Sequence, residues 1–236
     1  RRMSVAKDEF LTMITHELKT PLVPIQGYAD MLIGGHLGSL TDKQRERMGI
    51  IKSSATSLLQ IISDLLDAQK LELGQLRMKK EVLPIQKTVL KSIQTLQPQI
   101  DENKITVSNE VSPTILVPHD ADRITQVLTN LIKNSIKAVK PNVGIIKITS
   151  SEDPNEVRIT VSDNGGGIPP EKQTKLFTKF YQADASLTRE KGGSGLGLSI
   201  CKGIVGAHGG KITLESAPGV GTSVTFSLPK DAKAAV

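Results

Sequence analysis

The chain has 236 residues, 38% hydrophobic and 23% charged, enough to bury one large or two modest cores and too apolar to remain disordered. Its net charge of +6 is scattered among acids apart from the small cluster LRMKKE (76–81), and aromatics make up 3%, which disfavours nucleic acid as a partner. No apolar run approaches the roughly 18 residues needed to cross a membrane, and no signal peptide opens the chain.

RRMSVAKDEF enters a helical pattern without a cap, as a start cut within a longer helix would, so an upstream region is expected. Phe10, Ile14, Leu18, Pro21, Ile25, Tyr28 and Leu32 then recur at spacings of three and four, the stripe of an amphipathic helix. GGHLGS (34–39) ends it, and Thr41 with Gln44 has the form of a capping box. A second helix carries Ile51, Ala55, Leu58, Ile62 and Leu65 on one face. Two such helices make a hairpin with too little to bury alone, so a four-helix bundle made by two chains is the expected completion.

GQLRMKK (74–80) reads as the hinge to a second region, and beyond it the pattern changes. Short β-like runs lie at 104–109, 114–118, 144–151, 156–163, 210–216 and 221–228, with helical patterns at 85–101, 120–140 and 195–207. The expected fold is α+β: a helical hairpin (1–75), then a two-layer sandwich of mixed sheet and helices (80–232). The single Cys201 forms no internal disulfide, fits a reducing compartment and reads as a core residue.

Within THELKTP (15–21), His16 falls about 190° from the centre of the stripe at about 100° per residue, on the outer row with Thr12 and Thr20. An outward histidine on a helix is ordinarily just a surface residue. Beside Glu17 it is also an accessible nucleophile with a carboxylate to orient it or take its proton. Pro21 and Pro24 each remove a helical N–H, so a bend is expected just after it.

Along 120–139, Arg123, Gln126, Asn130, Asn134 and Lys137 share one helix face, while Ile124, Leu128, Leu131, Ile132 and Val139 take the other. An ordinary solvated face is one reading. Two asparagines a turn apart are poor helix formers, and an amide oxygen suits a magnesium ion shared with phosphates. The run EVRITVSD ends at Asp163 and opens into NGGGIPPE, and KGGSGLGLSI (191–200) is a second glycine loop that turns into a helix. A carboxylate at the first site could accept from an exocyclic amine, and helix N–H groups at the second favour phosphate, although each loop alone could be a plain turn. Phe177, Phe180 and Tyr181 cluster between the loops, and the polar stretch 182–193 looks like a lid.

Taken together, FLTMITHELKTPL, QVLTNLIKNSIK, DNGGGI, LFTKFYQ and GGSGLGL resemble, in order, the phosphoacceptor, N, G1, F and G2 boxes of sensor histidine kinases of two-component signalling. The resemblance covers nearly the whole chain. It implies a dimerising phosphoacceptor hairpin and an ATP-binding domain of the Bergerat type, with ATP and Mg²⁺ as cofactors. His16 would attack the γ-phosphate, Glu17 would be its acid–base partner, and Thr20 would position water when a partner is dephosphorylated. Asn134 would hold Mg²⁺ with Asn130 in support, and Lys137 would meet phosphate. Asp163 would read the adenine amine, with Gly165, Gly167, Tyr181, Gly193, Gly195, Leu196 and Gly197 shaping the pocket.

The implied partners are a second copy and a response regulator receiver domain. The implied place is the cytoplasm, with a membrane reached only through regions outside this chain. Three positions depart from the family pattern: Pro24, Ala138 where an aromatic is usual, and Gln182 where arginine is common. The competing functions are an ATP-driven clamp of the same superfamily and a nucleotide-binding pseudokinase or scaffold.

Overall fold

The computed structural model describes residues 2–182 and 194–231, and the side chains of all of these except 2–12 and 14–16. The chain divides into two compact units, Arg1–Gly74 and Gln75–Val236.

The first unit is a hairpin of α1 (Arg2–Ile33) and α2 (Asp42–Glu72). α1 runs on as helix through both Pro21 and Pro24. The expected capping box starts α2: the Thr41 hydroxyl accepts from the Gln44 N–H, and the Gln44 amide oxygen accepts from the Thr41 N–H at 2.9 Å. Small residues let the helices close, with Ala29 and Ala55 buried, as is Ile62. Polar ties fix their register: Gln26 donates to Thr56 at 2.7 Å, Lys52 pairs with Asp30, and Arg45 caps the Ile33 carbonyl. Much of the predicted apolar stripe stays in water in a single copy, with Leu18, Ile25, Tyr28, Ile51 and Leu58 all exposed and Tyr28 at 63%.

Among the described residues, the second unit holds β1 (Glu81–Pro84), α3 (Ile85–Glu102), β2 (Thr106–Glu110), β3 (Leu116–His119), α4 (Ala121–Ala138), β4 (Ile145–Glu152), β5 (Glu156–Asp163), α5 (Pro170–Gln173), α6 (Gly197–Ala207), β6 (Ile212–Ala217) and β7 (Gly221–Pro229). Five strands form a mixed sheet in the order β2-β4-β5-β7-β6, in which only the β2–β4 pair is parallel. β1 and β3 make a separate antiparallel ribbon. The register sets Ile148 against Val161 and Ile159 against Phe226, all buried under the helices. The alternate residues carry hydroxyl pairs such as Thr160–Thr225, 2.9 Å apart, on the other face. Cys201 is buried in α6, as expected of a core thiol. The expectation of a mixed sheet with helices holds. β1 and α5 were not expected; a four-residue strand ending in proline has too little pattern to be read locally.

A buried polar cluster joins several of these elements. Asp120 caps α4, accepting from the Arg123 N–H at 3.1 Å, and its other oxygen accepts from the Lys79 N–H at 2.8 Å. The Asp120 N–H donates to His208 Nε2 at 3.0 Å, while His119 Nε2 lies 2.8 Å from the Thr88 hydroxyl. Burial, the largest influence, holds both imidazoles below the ordinary histidine value; the nearby Asp120 carboxylate opposes this, and Lys80 adds to it at His208. An imidazole that protonates less readily when folded takes up protons on unfolding, so stability is complete above roughly pH 6.5 and declines as pH falls below it. Tm should therefore be lower at pH 5 than at pH 7.5, and the loss should shrink in His208→Gln. A Tm that rises on acidification would contradict this cluster's role.

Candidate functional site

α4 is the spine of the site. Its buried face is Ile124, Val127, Leu128, Leu131, Ile132 and Ile136, so Asn130, Asn134 and Lys137 are turned from the core at successive turns. Asn134 and Lys137 are exposed, and Asn130 is partly covered. Lost hydration, then the Lys133 charge one turn back, lowers the Lys137 pKa although the residue as a whole is exposed. Like charges at this spacing cost a few tenths of a kcal/mol, and an anion between them would relieve it.

Asp163 ends β5 with both carboxylate oxygens held. Oδ1 accepts the Gly165 N–H at 3.0 Å, and Oδ2 accepts the Ser135 hydroxyl at 2.9 Å. Gly165 makes room for this turn, because a Cβ there would sit 2.7 Å from the Ala138 carbonyl oxygen and 2.8 Å from Asp163 Oδ1. Gly167 has φ +70, and a Cβ there would overlap the Ala217 carbonyl oxygen. The Gly166 carbonyl accepts the Gly219 N–H at 2.8 Å, and the Ile168 N–H donates to the Ser216 hydroxyl at 2.8 Å. The first glycine loop is thus fastened to the turn between β6 and β7.

The second loop closes on the F-box segment. The Phe180 N–H donates to the Gly195 carbonyl at 3.0 Å, and Phe180 has φ +61, a strained value for a bulky residue. Tyr181 is partly covered, and Gln182 is exposed. Leu196 is buried and precedes Gly197, which opens α6. Among the described residues, the Leu196 side chain gives this helix start no capping bond, the Ser194 hydroxyl accepts the Leu196 N–H at 3.3 Å, and the Cβ position of Gly197 lies 3.7 Å from the Asn130 amide carbon. Among the described residues, Asn130 Nδ2 is buried and meets no hydrogen-bond partner. Gly193, the rest of 183–193 in the expected lid, and the side chains of His16 and Thr12 lie outside the described residues. Glu17 and Thr20 on α1 are exposed.

These donors suit a triphosphate. Such an amide N–H beside a helix N-terminus wants anionic oxygen. Among the described residues no group of three His, Cys, Asp or Glu could hold a metal. An ion held by one amide oxygen, waters and substrate phosphates needs no such cluster.

Comparison with known proteins bears on the same two units. Residues 6–74 match the His Kinase A (phospho-acceptor) domain, and residues 119–232 match the histidine kinase-, DNA gyrase B- and HSP90-like ATPase family. The catalytic domain of the histidine kinase ThkA is 32% identical, with a TM-score of 0.58 over 66% of this chain and 99% of that one. The chain belongs to the histidine kinase family. Full-length ShkA in complex with AMPPNP aligns over 94% of this histidine kinase chain and 45% of its own, at 27% identity and a TM-score of 0.77. ThkA in complex with the response regulator TrrA aligns over 95% of this chain and 62% of its own, at 28% identity and a TM-score of 0.64. A sensor-like histidine kinase of Rhizobium meliloti is 34% identical over 98% of this chain, which spans 44% of that protein.

Two residues of this kinase at the site escaped the sequence reading. Ser135 sits among apolar residues on α4, and Gly221 has φ +130 where a Cβ would overlap the Asp163 carbonyl oxygen. A hydroxyl interrupting the apolar face was a signal for Ser135, and the run PGVG (218–221) was one for Gly221.

Proposed function

We propose that this histidine kinase core binds ATP with Mg²⁺, phosphorylates His16 and passes the phosphoryl group to an aspartate of a response regulator. The observation that carries the nucleotide is Asn130 Nδ2, buried beside the start of α6 and without a hydrogen-bond partner among the described residues. Asp163 accepts from the adenine amine, Asn134 offers its amide oxygen to the ion, and Lys137 meets phosphate. Gly165, Gly167, Gly193, Gly195, Leu196, Gly197 and Tyr181 shape the pocket. Bound Mg²⁺ supplies charge neutralisation on the phosphates. A ring nitrogen of His16 forms the N–P bond as the bond from phosphorus to the ADP oxygen breaks, ADP leaving with the electron pair. Glu17 takes the ring proton. Incubation with labelled ATP and Mg²⁺ tests this: acid-labile, alkali-stable label is expected on the protein. ATP binding without label would favour the pseudokinase reading.

The kinase acts as a homodimer. Support comes from the exposed apolar residues of the hairpin, which a second copy would cover in a four-helix bundle. A receiver domain as partner is supported by the ThkA–TrrA complex. Consumption of ATP supports a cytoplasmic location; among the described residues no helix is long and apolar enough to cross a membrane.

Thr20, one turn beyond His16 on α1, directs water onto the receiver's acyl phosphate. Thr20→Ala should slow dephosphorylation of the receiver by about tenfold or more while labelling of His16 continues. A joint decline of both activities with a fall in Tm would mean that the hydroxyl serves the helix instead.

A further inference from the structure

Among the described residues, several hydroxyls inside helices bond back to their own helix. Thr56, Ser92, Thr95, Thr125 and Thr129 each donate to the carbonyl four residues earlier. Ser135 departs from that habit. It is 5% exposed on the apolar face of α4, and its hydroxyl reaches across to Asp163 Oδ2 at 2.9 Å at the end of β5.

That bond has a geometric consequence for the carboxylate. The terminal torsion of an aspartate is broad and roughly two-fold, so a carboxylate held at one oxygen still swivels. Here Gly165 N–H holds Oδ1 and Ser135 holds Oδ2, so rotation of the plane would break both bonds. The remaining lone pairs then point in fixed directions. Of the two donors, the Gly165 amide belongs to a loop and the Ser135 hydroxyl to a helix anchored by buried isoleucines and leucines on either side.

We infer that Ser135 is a positioning residue for base selection: by fixing the plane of the Asp163 carboxylate, it makes the site prefer a purine with a 6-amino group. The inference rests on the reading of Asp163 as the acceptor for adenine. Ser135 need not touch the base. Without that hydroxyl, Asp163 keeps its Gly165 bond but gains freedom to turn, so a directional bond to the amine weakens while phosphate and stacking contacts persist.

The test compares ATP with purine riboside triphosphate, which lacks only the 6-amino group, by equilibrium binding to wild type, Ser135→Ala, Ser135→Thr and Asp163→Asn. Wild type should prefer ATP, and Asp163→Asn should lose that preference. In Ser135→Ala the affinity for ATP should fall roughly five- to tenfold with that for the amine-free nucleotide nearly constant, narrowing the preference. Ser135→Thr, which keeps a hydroxyl, should restore it. Equal losses for both nucleotides, or an unchanged preference in Ser135→Ala, would overturn the inference alone. A wild type that binds both equally would overturn the adenine reading of Asp163 and the inference with it.

Discussion

Replacing Gly167 with alanine is expected to abolish measurable ATP binding, whereas the same change at Gly166 should leave it intact. The residues are neighbours in one loop and differ in what surrounds them. A Cβ at Gly166 meets nothing within 4 Å. At Gly167 it would overlap the Ala217 carbonyl and come 3.0 Å from the Pro218 nitrogen, backbone atoms that no side-chain rotation can move aside. The positive φ of +70 adds strain for any residue with a Cβ. Together the left-handed backbone and the overlap cost about 2–5 kcal/mol. Relief comes by parting the loop from the β6–β7 turn, which breaks the 2.8 Å bonds from Gly219 to Gly166 and from Ile168 to Ser216. Gly165, two residues away, then carries its N–H off Asp163. Calorimetric titration with ATP and a melting curve for each variant check this. Equal behaviour of the two variants would show that the loop does not hold the site.

His16→Gln is expected to reduce phosphoryl label to background while ATP binds as in wild type. Glutamine has similar reach and polarity, but its amide nitrogen is not a nucleophile, so the change removes the chemistry and little else. Binding should survive because residue 16 belongs to the hairpin unit and the nucleotide groups belong to the other. His36, exposed in the turn after α1, is the matched control, and His36→Gln should keep full label. Label at the wild-type level in His16→Gln would remove His16 from the reaction.

The legible parts of this fold were those that a short stretch of chain specifies by itself. The Thr41–Gln44 capping box and the apolar face of α4 follow from residues three and four apart, and both stand as read. β1 depends on β3, with Val82 opposite Pro118, a partner that no local pattern announces. Ser135 and Gly221 owe their importance to Asp163, which reaches them only once α4, β5 and β7 are assembled. The stripe of α1 was readable, and Tyr28 and Leu18 stand exposed on it in a single copy, where the proposed homodimer would cover them. Ala138 departs from the family pattern in its side chain, but the structure uses its backbone, against which Gly165 packs.

The most direct measurement of the central claim is to locate the phosphate. Wild-type protein is incubated with ATP and Mg²⁺, kept alkaline, digested and mapped by mass spectrometry. The account predicts a single phosphoramidate on the peptide that contains THELKTP, at His16. Phosphate on a serine, threonine or aspartate, or on another histidine, would contradict it, as would no phosphate on a protein that binds ATP.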